Sequence, residues 1–550
     1  MLAALIIVAG VLLVFGQTIG HDYVLWDDDA LLLANPAVMM PSTEALKLAW
    51  QGPYEHLYVP LTCNVWFLIA RVAGLFTQDA VPAAGWFHAA SITVHAGNAL
   101  LVYSVLRSLK VLRPAATVGA LAFALHPIQV EAVAWCSAMK DLLSTCLALV
   151  CMLCHIRALD AASSVPRRAT SMHLTALLAM ALATLAKPGV VAVPAMMLAV
   201  DLVILRRPAT RSVLTLVPLL AVSAAAVVWT RAVQSVGAFE PLPLLLRPAV
   251  AVDALAFYLH KLAMPVRLCT DYGLDPHTVW SGGRWMWSWL IPACVFGLVL
   301  PFARQRKLLA AGLVLFCIGL SPTLGIIPFA FQYYSTVADR YAYLPMIGLA
   351  MMAADLATML KSRPGWMLAA GILVAWAALS ANQAQVWRNG EALELHTIAA
   401  NPQAFAAYTR LACHAVAIPT PTQPVAGSLP RVSEGFMQSA LAYCWRSLEI
   451  RNDYAPAMNN LVALHLLEGR FREALTLAEC FTRIAAIHHL PPGSLSYSSV
   501  WIGEGWLRLG DQAKARVQID LALQSPSLQH QANQLLQQLR DPQSKPGGIR

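Results

Sequence analysis

Charged side chains are scarce in this sequence. Asp, Glu, Lys and Arg make up 12% of its 550 residues, whereas hydrophobic residues make up 58%. A soluble domain carries about 25% charged residues, so this composition is that of a polytopic membrane protein with a less apolar part attached.

Metal-binding patterns are also lacking. The CxxC pair, Cys151 and Cys154, lies in an apolar segment, and no second pair or Cys/His set completes a zinc site.

About eleven apolar segments are candidates for membrane spans, which need roughly 20 residues each. The first lacks a basic N-terminal region and a small-residue cleavage site, so we interpret it as a span and not as a removed signal peptide. Segment 249–266 is interpreted as an interfacial helix, and segment 61–76 as an interfacial or re-entrant one. The candidate spans are 1–19, 83–107, 114–130, 141–157, 171–187, 189–205, 211–231, 285–303, 307–322, 342–360 and 365–380.

The basic residues fall in alternate loops between these segments. Counting the segments in turn places five basic groups on one side, and the positive-inside rule makes that side the cytoplasm. The net charge of +9 is thus attributed to cytoplasmic loops and not to nucleic-acid binding. The N-terminus is predicted inside and residues 381–550 outside, in a bacterial periplasm. The groups are Arg107, Lys110 and Arg113; Arg157, Arg167 and Arg168; Arg206, Arg207 and Arg211; Arg304, Arg306 and Lys307; and Lys361 and Arg363.

The composition changes after Ser380. We predict a membrane domain over 1–380 with an outer loop 20–82, a linker with the first helices of the next domain over 381–430, repeats over 431–543 and a disordered tail over 544–550. The segment from Gly435 to Ala440 recurs from Gly469 to Ala474, an offset of about 34 residues, and Leu509 to Ala515 resembles a third copy. This period is typical of tetratricopeptide repeats, which form concave peptide-binding surfaces. A disulfide among Cys413, Cys444 and Cys480 is left open.

Polar residues that are unusual for a membrane protein gather on the predicted outer face. Ionisable groups within or beside a membrane are costly and point to function. Each cluster also has a structural interpretation: a lysine at a span end, a surface ion pair or a helix start. Together they predict a site where carboxylates and cations converge. The clusters are Asp27, Asp28 and Asp29; His126 to Glu131 with Lys140 and Asp141; Lys187 with Pro188; and Asp339 to Pro345.

Carboxylates and cations on a membrane face suit sugar transfer from a lipid phosphate. A carboxylate accepts the proton of the attacking hydroxyl, and cations stabilise the departing phosphate, which needs little protonation. An unperturbed Asp is a weak base, with a pKa near about 3.9, so proton transfer would come late in the reaction. A neighbouring carboxylate would raise the pKa of one member of the pair.

The ordered motifs resemble those of the TMTC-type family of C-superfamily membrane glycosyltransferases, including bacterial relatives with tetratricopeptide repeats. They span most of the membrane part and occur in family order. The motifs are Tyr23-Val24-Leu25-Trp26-Asp27-Asp28 with Asn35-Pro36; Tyr58-Val59-Pro60-Leu61-Thr62; His126-Pro127-Ile128-Gln129-Val130-Glu131 with Lys140-Asp141; Ala186-Lys187-Pro188; Asp339-Arg340-Tyr341-Ala342-Tyr343-Leu344-Pro345; and Val386-Trp387-Arg388-Asn389.

The resemblance implies an all-α transmembrane fold, a polyprenyl-phosphate sugar donor and inverting transfer to a protein hydroxyl, with no cofactor. It places the base on Asp27 or Asp28, of which we favour Asp27, and makes Glu131 a second acid that supports the base or faces the acceptor. The residues that it implies for holding phosphate or sugar are His126, Lys140, Lys187, Asp339, Arg340 and Tyr343.

Two departures from the family pattern stand out. Related members often carry Arg where this chain has Val59, so one cationic contact is missing unless another position supplies it or the donor differs. Asp29 adds a third carboxylate beside the expected pair, which leaves the identity of the base open.

Three other functions remain open from the sequence. Asp27, Asp28 and Glu131 could hold a divalent metal that binds a pyrophosphate-linked oligosaccharide. The membrane part could instead anchor a non-enzymatic repeat scaffold for envelope assembly. A transporter ranks last, because beyond the break at 187–189 no pair of discontinuous helices occurs in matching halves.

Overall fold

The computed structural model describes residues 1–550 apart from 56, 78–80, 163, 234–239, 417–433, 488–495, 524–527 and 541–550. These residues form two compact units, Met1–Asn389 and Gly390–Arg550. Across the described ranges the chain folds into helices, turns and loops without a strand, so the predicted all-α class is confirmed at this level. The predicted tail 544–550 and residues 417–430 of the predicted linker lie outside the described residues.

The N-terminal unit consists of helices joined by short 3-10 segments. Proline occupies the first position of several of them, where its missing N–H removes no helical hydrogen bond. The helices are α1 Leu2–Phe15, α2 Pro36–Met39, α3 Thr43–Gln51, α4 Pro60–Ala73, α5 Ala84–Ser108, α6 Arg113–Leu125, α7 Val130–Ala134, α8 Met139–Ala161, α9 Pro166–Ala186, α10 Val193–Ala199, α11 Ala209–Val233, α12 Arg247–Ala263, α13 Pro276–Ser281, α14 Trp285–Ser288, α15 Leu290–Val299, α16 Lys307–Leu320, α17 Met346–Ala357 and α18 Arg363–Val386.

Seven helical segments of this unit are long and apolar enough to cross a membrane, so a membrane protein is supported. An eighth candidate is a pair, Arg113–Leu125 and Pro127–Ala134, bent by 51°. Three further predicted spans correspond to shorter apolar helical segments, Pro188–Ile204, Lys307–Thr323 and Met346–Ala357. The count of about eleven spans and their orientation therefore stay predictions. The seven are Leu2–Gly20, Ala84–Ser108, Cys136–Ala161, Pro166–Ala186, Ala209–Val233, Trp285–Phe302 and Arg363–Val386.

Glycine allows the shorter apolar helices to approach one another closely. A Cβ atom added at Gly348 of α17 would clash with the carbonyl oxygen of Gly312 in α16, and one added at Gly312 would clash with that of Gly348. Gly119 of α6 meets the carbonyl of Ala350 on α17 in the same way. Small residues at such contacts are typical of helices packed in membranes, where close backbone approach drives association.

This packing gives a matched pair of stability tests. We expect Gly348→Ala to destabilise the protein by about 1–3 kcal/mol, because a methyl group has no room against α16. Gly297→Ala is the control, since no atom lies within 4 Å of a Cβ at that helical glycine. Thermal unfolding of the full chain in detergent measures both, and equal midpoints for the two variants would contradict the close approach.

The C-terminal unit is also helical. Each helix packs against the next one along the chain. They are α19 Gly390–Ala400, α20 Phe405–Val416, α21 Glu434–Ile450, α22 Ala455–Leu467, α23 Phe471–Ile487, α24 Ser496–Arg508, α25 Gln512–Leu523 and α26 Gln529–Arg540.

Two of the predicted repeat landmarks have the same local structure. Gly469 ends α22 with a φ of 77°, and Gly510 ends α24 with a φ of 80°, in the left-handed region that favours glycine. The alanines aligned by the repeat, Ala440, Ala474 and Ala515, are all completely buried. The tetratricopeptide assignment itself stays a prediction. All eleven cysteines are free thiols, including the three among which a disulfide was left open.

Candidate active site

Four separated stretches of the N-terminal unit meet around one group of charged and aromatic side chains. They are the loop after α1, which carries Asp27 and Asp28, the region from α7 to the start of α8, the end of α9 with Lys187, and a 3-10 turn, Asp339–Ala342. Each stretch lies at a helix end, where a polar side chain can leave the apolar helix surface. The convergence predicted from the sequence is therefore present for most, though not all, of the residues named.

Asp28 is buried and fully hydrogen-bonded. One carboxylate oxygen accepts from the Ser137 amide at 2.9 Å and from the Ser137 hydroxyl, and the other accepts from the Val24 amide at 3.0 Å. The pKa of Asp28 is raised to about 7, chiefly because burial disfavours its charge, although the hydrogen bonds from Ser137 and Val24 oppose that rise. Asp28 thereby ties the first loop to the start of α8, which is a positioning role.

Asp27 differs from Asp28 in its exposure and in its backbone conformation. It is exposed, and its φ of 66° lies in the left-handed region, which is unusual for a residue with a Cβ and is typical of functional sites. Its charge acts on Lys140 and on Asp28. Of the two carboxylates, Asp27 is therefore the one that a substrate can reach.

Because the pKa of Asp28 is raised in the folded state, the stability of the protein should depend on pH. Its folded pKa lies above its ordinary value of 3.8, so the stability that protonation contributes is complete at low pH and is lost as pH rises through about 7. We expect the free energy of unfolding of the wild type to fall by up to a few kcal/mol between about pH 4 and 7, because in this range the folded state keeps the proton and the unfolded state does not. Asp28→Asn should flatten this slope.

Asp22→Asn is the control for that measurement, because Asp22 is an exposed carboxylate of the same loop. It should keep the wild-type slope. Parallel slopes for the wild type and Asp28→Asn would show that Asp28 is ionised throughout this range.

Glu131 and Arg340 form a buried ion pair that joins α7 to the turn at 339–342. The Glu131 carboxylate accepts from the Arg340 amide at 2.9 Å through one oxygen and from the guanidinium through the other. Burial alone would lower the pKa of Arg340, but the Glu131 charge outweighs it, so the pKa is raised. Both carboxylate oxygens of Glu131 are thereby hydrogen-bonded to Arg340.

Aromatic rings enclose the Arg340 guanidinium. Its central carbon lies 4.2 Å from the Phe331 ring centroid, 4.9 Å from that of Tyr341 and 5.5 Å from that of Trp135. Stacking on aromatic faces suits the planar guanidinium and holds it in one orientation. The Trp135 ring also faces the Lys140 ammonium, at 4.5 Å, so one indole lies beside two cations.

The burial of this pair makes its loss costly. We expect Arg340→Met to destabilise the protein by about 3–5 kcal/mol, because Glu131 would be left buried without its cation. Adding Glu131→Gln should restore part of that loss. Lys47→Met, which breaks an exposed pair with Glu44, is the control and should cost under about 1 kcal/mol. An Arg340→Met loss as small as the control's would contradict this pairing.

Lys187 and Lys140 complete the cationic part of the site. Lys187 ends α9, forms an ion pair with Asp141 and lies 5.6 Å from the Tyr341 ring centroid; its side chain is 21% exposed. The Lys140 ammonium donates to the Ser137 carbonyl at 2.9 Å. It also lies within electrostatic range of Asp27, Lys187 and Arg340.

Three predicted site residues are buried and have partners outside this group of charged and aromatic side chains. His126 is buried, bonded to Ile128 and Leu262 and in edge contact with the Trp376 ring. Tyr343 is buried in the helix core, where its hydroxyl contacts His95 at 2.7 Å and Asn98 at 3.1 Å. Asp339 is buried and accepts from the Tyr272 hydroxyl at 2.8 Å. His126 and Tyr343 are thus both buried and hydrogen-bonded within the fold, and the substrate contacts that the resemblance implies for them stay predictions.

Ser137 and Tyr272 were not predicted from the sequence. Ser137 lies between two predicted motifs, in the 3-10 segment Cys136–Ala138 that precedes α8, so its neighbourhood was a usable signal. Tyr272 lies outside the predicted motifs, and its bond to Asp339 connects it to the turn at 339–342.

Carboxylates that could bind a metal already have other partners. Both oxygens of Glu131 accept from Arg340, and both oxygens of Asp28 accept from Ser137 or Val24. Among the described residues, no group of three His, Cys, Asp or Glu side chains is arranged to hold a metal ion.

The arrangement offers an exposed carboxylate, Asp27, within electrostatic range of Lys140, and Lys140 in turn lies within range of Lys187 and Arg340. Such a site can bind an anionic group and accept a proton next to it. A scan against protein families and searches of curated proteins and of solved structures each found no significant match.

Proposed function

We propose that this protein is a membrane glycosyltransferase that moves a sugar from a polyprenyl-phosphate donor to a protein hydroxyl. The observation that carries the proposal is the exposed carboxylate of Asp27 within electrostatic range of Lys140, which in turn lies within range of Lys187 and Arg340. The motif resemblance to TMTC-type glycosyltransferases points to the same chemistry. In this proposal the site faces the periplasm of a bacterial cell, and the helical repeats of the C-terminal unit present the acceptor protein.

The reaction assigns one role to each group. The acceptor hydroxyl attacks the anomeric carbon of the sugar, its oxygen forms the new glycosidic bond, and its proton passes to Asp27. The bond between the anomeric carbon and the phosphate oxygen breaks, and the electron pair leaves with the polyprenyl phosphate. Attack from the face opposite the phosphate inverts the configuration at that carbon.

The cations act on the leaving group. Lys187 is the most accessible of them, and Lys140 and Arg340 add positive charge behind it. Because charge develops on the phosphate as its bond breaks, fixed cations stabilise the transition state more than the ground state. Their own partners, Asp141 and Glu131, hold them in place before the donor binds.

Asp28 and Ser137 position the base. Their hydrogen bonds anchor the residue that follows Asp27, and so fix the left-handed backbone that directs Asp27 away from the protein core. A neutral Asp28 would also spare Asp27 the repulsion of a second buried charge, since the pKa of Asp28 is raised to about 7.

The test is the intact mass of exported proteins from cells that make the wild type, Asp27→Asn or Asp22→Asn at matched levels. We expect a hexose- or pentose-sized increment in the wild type and in Asp22→Asn. Asp27→Asn should lose it, because removing a general base typically costs about 10²–10⁴-fold in rate. A full increment in Asp27→Asn would contradict the proposal.

A further inference from the structure

A second polar site lies at the opposite ends of the helices that carry the candidate active site. A cavity of about 630 Å³ is formed by the end of α5 with the turn after it, the end of α8 and the start of α9. This volume falls in the range of about 300–1,000 Å³ that is typical of small-molecule sites. The candidate active site uses the other end of both α8 and α9, where Lys140 and Lys187 lie.

The two sites are separated by about the thickness of a membrane. The α8 helix has 23 residues, which corresponds to a length of about 35 Å, against a hydrocarbon core of about 30 Å. The cavity and the active site therefore face opposite surfaces of the bilayer, whichever surface is the cytoplasmic one.

The cavity is lined by four cations and one carboxylate. Lys110 forms an ion pair with Asp160 at 2.9 Å, and Arg107 donates to the Val111 carbonyl. Arg157 and Arg168 have no ion-pair partner in the part of the chain that the structure describes, and both are exposed. They come from different helices but line the same cavity, so the cavity has an excess of positive charge that the protein itself does not neutralise.

Two arginines on one cavity wall match the chemistry of a phosphate. The planar guanidinium donates two parallel hydrogen bonds to phosphate oxygens, which an ammonium cannot do. Basic pockets between membrane helices are also where anionic headgroups concentrate, because the surface potential attracts them. Tyr103 and Ser104 of α5 add hydroxyl groups to the wall, and Met172 adds an apolar one.

We propose that the cavity between α5, α8 and α9 binds a phosphate-bearing anion, with Arg157 and Arg168 as its principal ligands. At a membrane surface the phosphate belongs to an anionic phospholipid headgroup or to a soluble phosphate compound. The site is separate from the glycosyl-transfer chemistry proposed above and does not depend on it. A bound anion here would cross-link three helices and stabilise the fold through its binding to the native state.

The experiment uses the full chain in detergent, with native mass spectrometry to count bound lipids. Phosphatidylglycerol is titrated against wild type, Arg157→Gln/Arg168→Gln and the control Lys361→Gln/Arg363→Gln. The control pair is exposed, carries the same charge and does not line the cavity. We expect the first double variant to bind phosphatidylglycerol about 10- to 30-fold more weakly than wild type, since each cation near a lipid surface contributes about a fivefold change.

The remaining arms identify the source of the phosphate and guard against a folding defect. Phosphatidylcholine should show no difference between the variants. Competition by millimolar inorganic phosphate would assign the site to soluble phosphates, and resistance to it would assign the site to lipid. Arg157→Lys/Arg168→Lys keeps the charge and should retain part of the binding. The proposal would be overturned if Arg157→Gln/Arg168→Gln and the control lost the same affinity for phosphatidylglycerol, or if neither lost any.

Discussion

The buried ion pair between Glu131 and Arg340 is the constraint on which the rest of the site depends. Neither charge is stable in an apolar interior alone, and each is neutralised only by the other. Because Glu131 accepts from both the backbone and the side chain of Arg340, it fixes the position and the orientation of the turn at 339–342. Tyr341 lies within that turn, and its ring lies beside Lys187. The pair thus links α7, the end of α9 and the turn before α17.

Two adjacent carboxylates in the first loop have opposite environments. Three donors from Val24 and Ser137 surround Asp28, whereas Asp27 is exposed in a left-handed backbone conformation. One carboxylate is therefore used to anchor the loop and the other is left accessible to a substrate. Such a division explains why a run of acidic residues is required at a membrane surface, where a single unsupported carboxylate would have no fixed position.

Hydrophobic periodicity and charge were sufficient to predict the helical class, the approximate position of each apolar helix and the stretches that carry the site. Partners inside the fold were not predictable, since Ser137 meets Asp28 and Tyr272 meets Asp339 only through tertiary packing. His126 and Tyr343 belong to motifs that also supply residues of the candidate site, yet both side chains are buried. The chain also bends by 51° between Arg113–Leu125 and Pro127–Ala134, within the segment 114–130 that was predicted as one span.

The most direct test of this account is the binding of a polyprenyl phosphate to the full chain in lipid nanodiscs. Asp141→Asn is compared with Asp141→Asn/Lys187→Met, so that neither protein carries a buried unpaired carboxylate at this position and only the Lys187 cation differs. We expect the double variant to bind polyprenyl phosphate at least about tenfold more weakly than Asp141→Asn does, because it has lost one charge-assisted phosphate contact. Equal affinity of the two proteins would show that the converging cations do not form a phosphate site.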